Sequence, residues 1–190
     1  MCEADCLPRK ELYESWELAR RTRRRFRGGR VVDLACGHGL VAHLLLLLDD
    51  TSPQALAIDT RIPSSAHKVA HVMAREWPRL AGRVALEQRP IDDVDVQADD
   101  LVVSAHACGA LTDRVLDRAI AARAHVVVLP CCHDERTCDR GGIDGWVDGP
   151  LAIDLTRAAR LRAEGYKVHT QLVPETITPK NRLLLAEPLR

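Results

Sequence analysis

The chain has 190 residues, 46 % of them hydrophobic, which is enough to bury the core of one domain of ordinary size. Lysine plus arginine and aspartate plus glutamate both number 27, so the net charge excludes a global attraction to nucleic acid or to a membrane surface. Seven cysteines, without a signal peptide or a long apolar run, predict reduced thiols, a cytoplasmic location and no membrane partner.

Residues 1–29 are predicted to form an N-terminal helix and a basic segment that precede the main domain. Cys2 and Cys6 lie in a short lead-in. A helix is predicted over 9–26 from the spacing of four apolar residues on one face, which are Leu12, Trp16, Ala19 and Phe26. Seven of the eleven residues in the run Arg20–Arg30 are arginine. Such a run could bind RNA phosphates, or it could be a solvated helix end whose cations suit the helix dipole.

A strand–turn–helix unit follows, with a strand predicted over 30–35 and a leucine-rich helix over 40–48. Gly37 and Gly39 between them allow a sharp turn and a close approach of the backbone to a ligand. The G-x-G-x-x-A spacing also fits the dinucleotide fingerprint, so the glycines alone leave an NAD-dependent oxidoreductase open. Asp33 favours another ligand, because an acid in the first strand suits a cationic amino-acid tail and repels a pyrophosphate.

The rest of the chain alternates predicted strands and helices. Strands are predicted at 54–59, 83–88, 100–105, 125–130, 166–173 and 182–187, and helices at 64–76, 111–122 and 150–164. Short apolar strands separated by helices are typical of a parallel, doubly wound sheet. The last two strands are too close in sequence for a crossover, so they are predicted to be antiparallel. The predicted fold is a single Rossmann-like α/β domain over 30–190, with seven strands and an antiparallel C-terminal hairpin.

Sheets of this kind bind ligands beyond the carboxyl ends of their strands. Asp59 ends the second strand and is predicted to accept hydrogen bonds from ribose hydroxyls, with a helix cap or turn as the alternative. Ile91 and Asp92 follow the third strand, beside the predicted adenine position. The first and fourth strands supply the other predicted cofactor-binding residues, which are Asp33, Ala35, Cys36, Gly37, His38, Gly39, Ala105 and His106.

Three cysteines follow the fourth and fifth strands and are predicted to line the substrate side of the crevice: Cys108, Cys131 and Cys132. Cysteine and histidine are the residues that zinc prefers, so a zinc site is an alternative. The cysteines come from separate loops and lack Cys-x-x-Cys spacing, and small polarisable thiols also line apolar pockets well. The spacing therefore predicts no bound metal.

The glycine motif resembles the first motif of the class I S-adenosylmethionine-dependent methyltransferases, with Ala35 where that family usually has its first glycine. The segments His106-Ala-Cys-Gly and Cys131-Cys-His133 are similar to one subgroup of that family. The subgroup contains the tRNA acceptor-stem 2'-O-methyltransferase and the methyltransferase-like domain of a glutathione-transferase-like protein. The resemblance covers roughly residues 30–135 and implies S-adenosylmethionine as the cofactor. It leaves open an unidentified acceptor, ribose methylation of tRNA or rRNA, and a cofactor-binding module without activity.

Methyl transfer mainly requires in-line alignment, and an oxygen or nitrogen acceptor also needs a group that takes its proton. Histidine titrates near neutrality, so His106 and His133 are the predicted catalytic residues. His106 ranks first, because the fourth strand ends nearest the reacting centre in the family that the chain resembles. The alternative for each is a histidine that only hydrogen-bonds a loop. Lys180, Asn181 and Arg182 precede or begin the last strand and are predicted to bind a phosphate or carboxylate of the substrate, unless they form an ordinary solvated turn.

Overall fold

The computed structural model describes residues 7–189, so Cys2 and Cys6 lie outside it. Its helices are α1 (Arg9–Arg23), α2 (Leu40–Leu48), α3 (Ser64–Glu76), α4 (Ala110–Ala122) and α5 (Gly149–Ala163). Its strands are β1 (Val31–Leu34), β2 (Ala55–Asp59), β3 (Val84–Gln88), β4 (Leu101–Ala105), β5 (His125–Leu129), β6 (Tyr166–Leu172) and β7 (Arg182–Pro188). Every predicted element is present, and all but α1 agree with the prediction to within one residue at each end. Within 7–189, no helix combines the length and apolar character needed to cross a bilayer.

The seven strands form one sheet in the order β3-β2-β1-β4-β5-β7-β6. Strands β1 to β5 are parallel, and β7 pairs antiparallel with both β5 and β6. The predicted C-terminal hairpin is therefore confirmed, and β6 runs in the same direction as β5. As a result, the carboxyl ends of β1 to β6 lie along one edge of the sheet, together with the start of β7.

Helices cover both faces of the sheet, and successive residues of β1 point to opposite faces. Val31 packs in the cluster that contains residues of α1, α2 and α3. Val32 and Leu34 pack in a second cluster with residues of α4 and α5. Because both faces are buried, the central strands are almost continuously apolar.

The predicted apolar face of α1 is confirmed at Leu12 and Ala19, which pack into the core, and is wrong at Trp16 and Phe26. The helix ends at Arg23, Trp16 is 38 % exposed, and Phe26 is buried only after the helix has ended. The buried side of α1 carries polar residues as well as apolar ones: Glu14, Ser15, Glu17, Leu18, Ala19, Thr22 and Arg23. Arg23, for example, donates to the carbonyl of Leu45 at 3.1 Å and lies in an ion pair with buried Asp49 at 3.2 Å. Polar side chains can be buried when they find partners inside the protein. The spacing of apolar residues then fails to identify the buried face of the helix.

Candidate active site

The turn between β1 and α2 has the backbone that its glycines predict. Ala35, Gly37 and Gly39 all have positive φ, at 57°, 51° and 67°. A Cβ on Gly39 would lie 2.9 Å from a methyl carbon of Leu86, whereas a Cβ on Gly37 would meet nothing within 4 Å. The positive φ favours glycine at both positions, and a side chain at Gly39 would also displace Leu86, while Gly37 borders open space. Ala35 adopts a left-handed conformation that glycine adopts more easily, as expected from the family's usual residue at that position.

Asp33 forms the floor of the crevice beside this turn. Its side chain is buried, and its Oδ2 accepts a hydrogen bond from the Ala42 N–H at 3.3 Å. Its Oδ1 is also buried, but no donor reaches it among the described residues. Burial, together with the charge of Asp59, raises the pKa of Asp33 to about 7. A buried carboxylate oxygen without a donor fits a ligand that brings its own cationic N–H group.

Asp59 at the end of β2 links the glycine turn to a pocket of about 150 Å³. Its Oδ2 accepts from the Gly37 N–H at 3.0 Å, and its Oδ1 accepts from the Arg61 N–H at 3.2 Å. The residues around this pocket are Ala35, Asp59, Thr60, Pro90, Ile91, Leu111 and Arg114. Asp92 is not among them, since its exposed carboxylate pairs with Arg114. The structure therefore brings Asp59 and Ile91 to one pocket and leaves Asp92 at its edge.

A second pocket, of about 60 Å³, opens by the same glycine turn. Five predicted cofactor-binding residues line it, namely Asp33, Cys36, His38, Ala105 and His106. The rest of the lining comes from Leu7, from Glu11 and Ser15 of α1, and from Leu40 and Val41 of α2. The N-terminal helix thus supplies part of the wall of the crevice, a role that sequence reasoning missed.

Glu14 of α1 contacts the first-ranked catalytic histidine. Its buried Oε2 lies 3.2 Å from Nε2 of His106, and its Oε1 lies 3.5 Å from Nζ of Lys10. His106 directly follows β4 with a positive φ of 68°, a strained conformation, and its side chain lies in the crevice wall. Glu11 has a parallel role, with Oε2 at 3.4 Å from Nε2 of His38. In the sequence, the available signal for these two contacts was the presence of two acids, Glu11 and Glu14, three residues apart on one face of a predicted helix.

A family profile described as a methyltransferase domain matches residues 10–138. The chain belongs to this methyltransferase family. The matched region contains α1, the glycine turn, Asp59 and the segments after β4 and β5. The predicted class I methyltransferase fold is confirmed, because the chain has the predicted seven-stranded sheet with an antiparallel β7 and superposes on solved methyltransferases.

Individual proteins give more distant likenesses to this methyltransferase domain. A Drosophila pseudoobscura pseudoobscura homolog of glutathione S-transferase C-terminal domain-containing protein is 26 % identical over 198 residues, covering 83 % of this chain and 33 % of that protein. The chain thus spans about a third of the length of this relative. An O-methyltransferase family protein from Burkholderia thailandensis superposes with a TM-score of 0.54 at 15 % identity, covering 94 % of this chain and 59 % of that one. A SAM-dependent O-methyltransferase from Thermotoga maritima superposes with a TM-score of 0.57 at 16 % identity, covering 93 % of this chain and 65 % of that one.

His133 lies in a buried ion-pair network of the methyltransferase domain. Its side chain is 2 % exposed, and its Nε2 lies 2.9 Å from both carboxylate oxygens of Asp154. Asp154 also accepts from Arg182 Nε at 2.6 Å and lies 3.4 Å from Nη1 of Arg157. Burial raises the pKa of Asp154, but the bonds from His133 and Arg182 outweigh it and hold that pKa below its usual range. His133 lines neither crevice pocket, so its catalytic role stays a prediction.

Of the three residues predicted to bind a substrate anion, Asn181 and Arg182 have partners within the protein and Lys180 is exposed. The Nδ2 of Asn181 donates to the Val173 carbonyl at 3.1 Å, which closes the hairpin turn. The guanidinium of Arg182 is engaged with Asp154, while Lys180 is exposed. Arg182 also borders an apolar pocket of about 300 Å³ between α5 and the β6–β7 hairpin. Binding of a substrate anion by this turn stays a prediction.

The basic run Arg20–Arg30 contributes largely to internal ion pairs. Six of its seven arginines lie within ion-pair distance of an acidic side chain in the described chain. The acceptors are Glu17 for Arg20 and Arg21, Asp49 for Arg23 and Arg27, Glu187 for Arg25, and Asp100 for Arg30. These pairs reduce the positive charge that the run offers to RNA, and an RNA partner here stays a prediction.

Proposed function

We propose that this methyltransferase domain binds S-adenosylmethionine and transfers its methyl group to an oxygen or nitrogen acceptor. One observation carries the proposal, which is the buried Oδ1 of Asp33 without a donor at the floor of the crevice. The amino-acid tail of S-adenosylmethionine brings a cationic amino group that satisfies this oxygen. A dinucleotide would instead bring a pyrophosphate toward an acid, so the same residue argues against an NAD-dependent enzyme.

In this proposal, the pockets of about 60 and 150 Å³ each hold one part of the cofactor. The pocket that contains Asp33, Cys36 and His38 suits the amino-acid tail. The pocket that contains Asp59 and Ile91 suits the ribose and adenine, because a carboxylate at a strand end accepts from ribose hydroxyls and an apolar side chain packs against a base. The Gly37 turn, held by Asp59, lies between them.

When bound, S-adenosylmethionine supplies an activated methyl group on a sulfonium. The protein then has to position the acceptor in line and to receive its proton. Nδ1 of His106 is the proton acceptor in this proposal, because Nε2 is buried and faces the Glu14 carboxylate at 3.2 Å, where the negative charge stabilises the imidazolium that forms. This pair favours an active enzyme over a binding module that has lost its activity.

The thiol state supports a cytoplasmic location as part of this proposal. All five cysteines that the structure describes are free thiols. The domain that carries them is the one that matches the methyltransferase family. Free thiols persist in reducing compartments, of which the cytoplasm is the commonest.

Replacing Asp59 by alanine is expected to weaken binding of S-adenosylhomocysteine by about 1–3 kcal/mol, because a charged acceptor for the ribose is lost and the Gly37 N–H, now held by a partly buried hydrogen bond, is released. Isothermal titration calorimetry on the full chain measures this difference. Asp99→Ala is the matched control, since Asp99 is an exposed acid just before β4, at the opposite edge of the sheet. Binding of NADH instead of S-adenosylhomocysteine by the unmodified protein would refute the proposed cofactor.

The affinity for S-adenosylhomocysteine is expected to rise with pH and to level off above about pH 7. The ligand's amino group favours the ionised form of Asp33, so binding lowers a pKa that stands at about 7 in the free protein and releases a proton. Below about pH 7, Asp33 is protonated in the free protein and must lose its proton before the ligand binds. This cost lowers the affinity. Titrations from pH 5 to 8 with Asp33→Asn as the control check this, because the variant should bind weakly with a flat profile. A flat profile for the unmodified protein would contradict the role of Asp33.

A further inference from the structure

Three cysteine thiols from two loops meet at the carboxyl edge of the sheet. Cys108 follows β4, while Cys131 and Cys132 follow β5. The Sγ atoms of Cys108 and Cys131 are 3.5 Å apart, those of Cys131 and Cys132 are 3.6 Å apart, and all three lie within 4.8 Å of one another. The loops are tied together by a hydrogen bond from the Gly109 N–H to the Cys132 carbonyl at 2.9 Å.

These separations match the face of a zinc coordination tetrahedron. A Zn–S bond of about 2.3 Å places two thiolates of a tetrahedral site about 3.8 Å apart. The two measured separations are within a few tenths of an ångström of that value. Cys108 and Cys132 are exposed, so an ion can enter and a fourth position stays available on the solvent side.

We propose that Cys108, Cys131 and Cys132 bind one Zn²⁺ ion through three thiolates, with a water molecule as the fourth ligand. Binding replaces the three S–H protons by three Zn–S bonds and releases the protons to solvent. This site is separate from the cofactor pockets, whose lining includes none of the three cysteines. Its neighbour in sequence, His106, does line the crevice, so the metal would stiffen the loop that follows the proposed base.

The same thiols are poorly suited to a disulfide switch. A disulfide needs an S–S distance of about 2.05 Å, so two tethered loops would have to move together by more than 1 Å. It would also leave the third thiol without a partner. A zinc ion uses all three sulfurs where they lie.

The test is metal content and cobalt substitution of the full chain, purified with a phosphine reductant. Elemental analysis is expected to show about one zinc per chain, either as purified or after adding Zn²⁺ and dialysing. Co²⁺ in place of zinc is expected to give thiolate-to-cobalt charge-transfer absorption with the intensity of three thiolates, together with the visible bands of tetrahedral cobalt. Zinc should then displace the cobalt.

Serine variants of individual cysteines distinguish zinc ligands from cysteines that do not bind the metal. Cys108→Ser and Cys132→Ser should weaken zinc binding by more than the roughly 10–100-fold that loss of an outer-shell partner costs. Cys138→Ser is the control, because Cys138 is a buried thiol outside the cluster and should leave binding unchanged. A folded, fully reduced wild-type protein that retains no zinc, or a cobalt spectrum without three thiolates, would overturn the site. S-adenosylhomocysteine titration of the same samples reports the cofactor proposal separately.

Discussion

Replacement of His106 by asparagine is expected to lower turnover by about 10²–10⁴-fold, which is the usual contribution of a positioned general base. Asparagine is chosen because it tolerates the left-handed backbone that His106 adopts, at φ 68°, so that the side chain changes without added strain. Binding of S-adenosylhomocysteine should be nearly unchanged, since Asp33 and Asp59 are untouched.

The measurement needs an acceptor, which a screen of tRNA, rRNA and small hydroxyl or thiol compounds with labelled S-adenosylmethionine can supply. His67→Asn is the matched control, because His67 is exposed on α3 and outside the crevice lining. His106→Gly adds a test of chemistry, since glycine also accepts the positive φ and free imidazole should restore part of the activity. Full turnover by His106→Asn would show that the base is wrongly assigned and that positioning alone carries the reaction.

Glu14 enters the same experiment as a positioning residue. Glu14→Gln keeps the size of the side chain but removes the charge that faces His106 at 3.2 Å. Turnover should fall while the affinity for S-adenosylhomocysteine is retained, and adding this change to His106→Asn should cost little more. Additive losses in the double variant would mean that Glu14 only stabilises the fold of α1.

Arg157→Ala is expected to lower the free energy of unfolding by about 3–5 kcal/mol, because it leaves the partly buried carboxylate of Asp113 and the buried Gly109 carbonyl without their cation. The Arg157 side chain is 2 % exposed. It donates to both carboxylate oxygens of Asp113 at 2.8 and 2.9 Å and to the Gly109 carbonyl at 2.9 Å. Although burial opposes the charge, Asp113 and Asp154 hold the pKa of Arg157 above its usual value. The network therefore ties α5 to the start of α4 and to the loop after β4.

Chemical denaturation of the full chain measures this loss, which corresponds to a fall in Tm on the order of 10 °C. Arg160→Ala is the matched control one turn along α5, because Arg160 is 41 % exposed and its pair with Asp117 is a surface salt bridge worth under about 1 kcal/mol. Arg157→Lys should recover only part of the loss, since lysine cannot bridge a carboxylate with two parallel N–H groups. Equal stabilities of Arg157→Ala and Arg160→Ala would refute the argument.

Local patterns predicted the sheet and the glycine turn well, for a physical reason. Strands buried on both faces are almost continuously apolar, as in β4 and β5, and a short connection forces β6 and β7 to be antiparallel. Helix α1 is the exception, because its buried side is rich in charged residues that find partners within the protein.

The sequence by itself determined the seven-stranded α/β sheet, the turn around Gly37, and the placement of Asp33 within β1 and of Asp59 at the end of β2, since these follow from periodicity and backbone geometry over short stretches. The methyltransferase class came from the resemblance of its motifs to that family. Only the tertiary structure decided that Glu14 faces His106 and that Cys108 meets Cys131. Those contacts join residues far apart in the chain, and their distances depend on how α1 packs and where the β4 and β5 loops end. Spacing along the chain carries no information about such distances.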